Sequence, residues 1–79
     1  MRFNSQLVRI FSEIDKKGKG FISKYEIQFN FPKSEIEEDL RLKMMQSLSK
    51  LPGGNYSLDL SAFLEFGHLL VQLGVYTIK

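Results

Sequence analysis

Cysteine and tryptophan are absent from this 79-residue chain, histidine occurs once and proline twice. Without cysteine there is no disulfide framework and no thiolate metal site, which leaves the compartment open with a lean toward the cytosol. No apolar run approaches the ~18 residues of a membrane span, and the N-terminus has no signal-peptide core. A soluble, intracellular protein with no membrane insertion is therefore expected. The lone His68 has no cysteine or serine at a recognisable nucleophile spacing, and Pro52-Gly53-Gly54-Asn55 lacks the lysine and hydroxyl of a phosphate loop. No enzyme is expected.

What the chain does have is phenylalanine, seven residues of it, and 11 basic against 9 acidic side chains for a net charge of +2. The charge is not gathered on one helix. Lys16, Lys17, Lys19 and Lys24 fall together in a loop, while Glu35, Glu37, Glu38 and Asp39 form an acidic cluster that repels phosphate. A nucleic-acid partner is not expected. The length suits one small domain over residues 1–79, near the size at which stability without staples is marginal.

Four helices follow from the apolar spacing. Phe3, Leu7, Ile10, Phe11 and Ile14 recur at helical intervals behind Asn4 or Ser5 as cap. Gly18 and Gly20 then permit a tight loop, and Phe21-Ile22-Ser23 reads as a short strand. Ser23 with Glu26 is a capping box for a helix from Lys24 to Phe31, which Pro32 stops. Ser34 to Glu37 reads as a second capping box, opening a third helix to about Lys50 with the stripe Ile36, Leu40, Met44, Met45, Leu48 and Leu51. Asp59 caps a fourth helix that runs from Leu60 to about Leu73 and ends at Gly74. Its polar residues Ser61, Glu65, His68 and Gln72 form one narrow stripe. That leaves more apolar surface than a small bundle buries on one face. Either Val75-Tyr76-Thr77-Ile78 folds back over the surplus, or the surplus is a groove for a partner.

A repeat ties the halves together. Residues Ile22 to Ile27 align with Leu58 to Phe63 at an offset of 36, and Leu7, Phe11 and Ile14 align with Met44, Leu48 and Leu51 at an offset of 37. The second loop is thus one residue shorter than the first. In it, Pro52 and Ala62 stand where ligand oxygens would be needed, and Asn55, Ser57 and Asp59 are the side-chain oxygens that remain.

Counting twelve from Asp15 puts a carboxylate at position 1, Gly20 at 6, Ser23 at 9 and Glu26 at 12, which is the layout of a helix–loop–helix calcium loop. Lys17 and Lys19 occupy positions 3 and 5, where oxygen ligands belong. Each lysine removes a ligand and adds repulsion toward a divalent ion of roughly 1.5 kcal/mol at ~6 Å in a water-like medium. The layout resembles the EF-hand family, and calmodulin-like lobes in particular, over nearly the whole chain. The resemblance implies an all-α domain of paired EF-hands: four helices with a short two-stranded β-contact around Phe21–Ser23 and Tyr56–Leu58. The hands would span about 3–31 and about 35–73. The expected metal complement is none, with Asp15, Ser23 and Glu26 as vestigial loop positions, and no cofactor is expected.

By position-for-position transfer, the resemblance implies that Ile14, Ile27, Phe31, Met44, Leu48, Leu51, Phe63, Phe66 and Leu70 line a partner-binding cleft. Asn30 and Ser47 are polar where the family pattern is apolar. A single lobe with degenerate loops is similar to the single-lobe light chains of class I myosins. That implies a cytoplasmic, cytoskeleton-associated subunit clasping the amphipathic IQ-type helix of an unconventional myosin without calcium. Two rivals remain at this stage, a calcium sensor or buffer with one weak hand and a scaffold subunit of another cytoskeletal complex.

Overall fold

The computed structural model describes residues 2–51 and 57–77, with the backbone alone for residues 2–4. Pro52, Gly53, Gly54, Asn55, Tyr56 and Ile78, on which parts of the sequence reading fall, lie outside the described residues, as does the Phe3 side chain. Among the described residues the order is α1 (Arg2–Ile14), β1 (Phe21–Ser23), α2 (Lys24–Asn30), α3 (Glu38–Ser49), β2 (Ser57–Asp59) and α4 (Leu60–Gln72). The protein is mostly helical with a small two-stranded antiparallel sheet. No helix among the described residues is long and apolar enough to cross a membrane.

The first helix begins at Arg2, upstream of the expected caps. Neither proline nor glycine interrupts residues 2–14, so nothing in the backbone forces a later start. Ser23 accepts from the Glu26 N–H at 3.1 Å while the Glu26 carboxylate accepts from the Ser23 N–H at 3.0 Å, so the expected capping box opens α2. Such a cap stabilises by about 1 kcal/mol. The helix stops one residue earlier than the spacing predicts, because Phe31 precedes Pro32 and is extended (φ −61°, ψ 127°). Arg41 then reaches back from α3 to the Gln28 and Phe31 carbonyls, at 3.2 and 3.4 Å, and satisfies the exposed end of α2.

The start of α3 corrects the reading of Ser34 as its cap. Glu35 N–H bonds the Pro32 carbonyl at 3.1 Å in a turn, and the helix opens at Glu38 behind Glu37, which makes no side-chain cap bond. Ile36 is pulled into the core ahead of the helix, and Glu35 is taken by partners from α1 and the C-terminal segment. Long-range contacts therefore override the local signal. The stripe on α3 is also narrower than its spacing predicts, since Met44 and Leu48 are buried, Leu40 and Leu51 half-buried and Met45 exposed.

In the sheet, Phe21 pairs with Asp59, Ile22 with Leu58 and Ser23 with Ser57. Among the described residues the second strand is Ser57–Asp59, and the pair at its centre joins the two residues equivalent in the repeat. Both point into the core, where each large side chain so buried contributes about 1.5–3 kcal/mol. Asp59 caps α4 by accepting from the Ala62 N–H at 2.8 Å, as its position predicts. At the other end of that helix Gly74 takes φ 73° and turns the chain back. The first and last helices pack directly on each other, with Gly67 against the Leu7 side chain.

Candidate functional site

The loop from Asp15 to Glu26 is built by a tight turn off the end of α1. Asp15 N–H bonds the Phe11 carbonyl at 2.8 Å, and Gly18 N–H bonds the Asp15 carbonyl at 3.1 Å. Gly18 (φ 67°) and Gly20 (φ 89°) adopt a conformation that a Cβ would strain. This turn aims two backbone donors at the Asp15 carboxylate, Lys19 N–H at 3.0 Å and Gly20 N–H at 2.8 Å. Those donors, Gly20 foremost and then Lys19 with its charge, hold the carboxyl below the ordinary aspartate range against the opposing effect of burial.

At the far end of the loop, Lys19 Nζ lies 3.2 and 3.4 Å from the two Glu26 carboxylate oxygens and 5.3 Å from the centre of the Phe21 ring. The Ser23 N–H, then Lys19, lowers the Glu26 carboxyl from its ordinary range. One residue therefore serves both acidic ends of the loop, by its backbone at Asp15 and by its ammonium at Glu26. The loop's anionic oxygens face donors from within the loop. Among the described residues no three His, Cys, Asp or Glu side chains cluster so as to hold a metal. In the second loop Asp59 is engaged by the Ala62 N–H, Ser57 is exposed on β2, and Asn55 is outside the described residues.

Eight of the nine expected cleft residues are brought together, but as a closed core. Ile14, Ile27, Phe31, Met44, Leu48, Phe63, Phe66 and Leu70 are all buried, and Leu51 is half-buried against them. The Phe63 ring sits 5.6 Å from Phe11 and 6.4 Å from Phe31, centre to centre. Of the two polar departures, Ser47 is buried and Asn30 is exposed. Of the apolar surplus on and just after α4, Leu69 and Leu73 stay exposed. The C-terminal segment packs into the core, with Val75 and Tyr76 each only 2% exposed. A shallow depression beside α3, lined by Lys33, Ile36, Glu38 and Arg41, contains none of the nine.

Tyr76, one residue of the segment expected either to fold back or to leave a groove open, is folded back. Its ring stands edge-on to Phe31 at 6.2 Å, its hydroxyl donates to Glu35 Oε1 at 3.2 Å, and Gln6 Nε2 donates to that hydroxyl. Arg9 is 3.5 Å from the same Glu35 oxygen. Burial first, and the Glu35 charge second, push the tyrosine up to about 12. The signal available in sequence was an aromatic residue just beyond a helix-ending glycine. Glu35, read as part of a helix-start cluster, is instead the acceptor at the centre of this network.

Fold and site define a small, mostly helical protein with a two-stranded contact and a first loop closed by its own lysine. Comparison with known proteins finds no matching family model, curated protein or solved structure.

Proposed function

We propose that the chain is a calcium-independent, light-chain-like subunit of the EF-hand type that clasps an amphipathic IQ-type helix of an unconventional myosin. Such a subunit works in the cytoplasm, on the cytoskeleton. The observation that carries the reading is the Lys19–Glu26 pair, which puts an internal cation beside the closing carboxylate of a twelve-residue loop. Two helix–loop–strand–helix units joined through Ile22 and Leu58 support the paired-hand part.

A loop that does not take up metal cannot use calcium to shift a conformational equilibrium, since a ligand does so only by differential binding. Recognition then belongs to the metal-free form. Phe31, Met44, Phe63 and Leu70 supply the apolar walls that an amphipathic helix engages through anchors at i, i+3 or i+4 and i+7. Because they are buried here, binding includes an opening step. Glu37, Glu38 and Asp39 are exposed and complement a basic helix, each pair being worth only ~0.2–1 kcal/mol. The charges set orientation more than strength.

Calorimetric titration with a panel of unconventional-myosin neck peptides tests this. The expected result is binding of equal affinity in chelator and in calcium, weakened by Phe63→Ala and little changed by Glu37→Gln. Absence of binding across the panel in chelator removes the assignment.

A further inference from the structure

We propose that the stretch from Lys16 to Phe29 is a second interaction surface, which adsorbs the protein reversibly to a membrane rich in anionic phospholipid. This surface lies outside the closed core and is independent of the helix-clasping reading.

The sequence concentrates two properties there. Between Asp15 and Phe31 four lysines stand against Asp15 and Glu26, whereas outside that stretch seven basic residues balance seven acidic ones, so the whole net charge of +2 falls within it. Aromatic exposure is gathered in the same place. Phe21, Tyr25 and Phe29 are 46, 66 and 72% exposed, and the remaining aromatic side chains that the structure describes are buried. The other large apolar side chains left in water are not aromatic, and they lie on α1, on α3, on α4 and just after it.

The fold sets both properties on one surface. Tyr25 and Phe29 are about one turn apart and share a face of α2. The Lys19 ammonium bonds Glu26 and lies 5.3 Å from the centre of the Phe21 ring, which brings that ring beside the first turn of the same helix. The acids of the stretch are already engaged, Asp15 by the Lys19 and Gly20 N–H groups and Glu26 by the Lys19 ammonium and the Ser23 N–H. Asp59, opposite Phe21 in the sheet, accepts from the Ala62 N–H. Lys16, Lys17 and Lys24 enter no ion pair among the described residues. The result is a face whose uncompensated charge is positive and whose apolar groups are projecting rings.

That combination fits the interface of an anionic bilayer. The negative surface potential draws each lysine by about fivefold in affinity, and aromatic rings settle at headgroup depth. Lysine is a point charge on a flexible stem, so it needs no fixed partner geometry, and a fluid headgroup layer offers none. A nucleic acid fits less well: the stretch holds no arginine, the residue suited to bidentate phosphate contact, and its rings project rather than line a groove. The depression beside α3 is lined by none of the three rings. Contact stays at headgroup depth, since no described helix is long and apolar enough to cross.

The test is sedimentation of the full chain with vesicles of phosphatidylcholine alone and of phosphatidylcholine mixed with phosphatidylserine. Binding to the mixed vesicles only, weakening as salt is raised, is expected. Lys16→Gln with Lys17→Gln should lower the affinity about 25-fold, two lysines at about fivefold each. Tyr25→Ser with Phe29→Ser should lower it about tenfold. Leu42→Ser, which removes a similarly exposed apolar side chain from α3, should leave it unchanged. The replaced side chains are all exposed, so each variant should keep the wild-type melting temperature, which circular dichroism verifies. In the wild type, spin-labelled lipid should broaden the amide signals of Phe21, Tyr25 and Phe29 ahead of those of α4. Failure to bind the mixed vesicles, equal binding to phosphatidylcholine alone, or indifference to the loss of both rings overturns the inference. Tighter binding to an oligothymidylate or to polyglutamate than to the mixed vesicles overturns it too, and reassigns the surface to a nucleic acid or an acidic protein.

Discussion

Lys19 and Glu26 face each other across the first loop, the ammonium nitrogen 3.2 Å from one carboxylate oxygen and 3.4 Å from the other. Because the Lys19 backbone also donates to Asp15, a single residue bonds both acidic groups of the loop. Calcium at ~1 mM should therefore leave the melting temperature unchanged, since a ligand stabilises only through its affinity for the native state. Conversely, Lys17→Asp with Lys19→Asn should give saturable shifts at the Gly20 and Glu26 amides and none in the second loop. Titration followed by amide NMR checks both; saturable shifts at those amides in the wild type defeat the first.

The stability of the protein should fall at both ends of the pH scale for separate reasons. Asp15 has a folded value below the ordinary 3.8, so its contribution is fully present above that value and is lost as the pH falls through the folded one. Tyr76 is raised from 10.0 to about 12, so its contribution is complete below pH 10 and disappears as the pH climbs toward 12. Urea midpoints measured against pH for wild type, Asp15→Asn and Tyr76→Phe provide the check. The asparagine variant should flatten the acid limb, and the phenylalanine variant should flatten the alkaline one.

Gly67 lies against Leu7 where α1 and α4 pack on each other. A Cβ there would lie 2.5 Å from one Leu7 methyl and 2.7 Å from the other, and Leu7 is wholly buried. Alanine normally favours a helix over glycine by about 1 kcal/mol, but overpacking a filled core costs about 1–3 kcal/mol. The second effect should win, so Gly67→Ala lowers the urea midpoint. An additional Leu7→Ala change should recover part of the loss relative to Leu7→Ala alone, a coupling that a double-mutant cycle measures.

Phe11 is the ring on which the first helix leans, 5.6 Å from Phe63. Phe11→Ala should cost about 3–5 kcal/mol, because the cavity lies where two helices meet and neither can collapse into it freely. Chemical unfolding followed by far-ultraviolet circular dichroism measures this. An unchanged midpoint would mean that the ring carries none of the packing assigned to it.

Elements with local causes were legible in the sequence. The Ser23–Glu26 box, the Asp59 cap and the turns at Gly18, Gly20 and Gly74 each depend on residues within one turn of one another, and each occurs as its pattern predicts. Ser34 and Glu37 carry the same pattern, yet α3 opens only at Glu38, because Glu35 and Ile36 are claimed by groups far away in sequence. Periodicity likewise identified the apolar faces that supply the core. It specifies which side of a helix avoids water, not what lies against that side. The seating of Tyr76 on Phe31, 45 residues away in the chain, was for that reason visible only as one of two options.

The packing of α1 against α4 bears on how the chain is made. During vectorial synthesis Leu7, Ile10, Phe11 and Ile14 leave the ribosome well before Phe63, Gly67 and Leu70, which complete their enclosure. A nascent chain ending near β2 therefore carries an uncovered apolar stripe on α1, a surface of the kind that recruits chaperones or a neighbouring chain. Folding to the closed form waits for α4 to emerge.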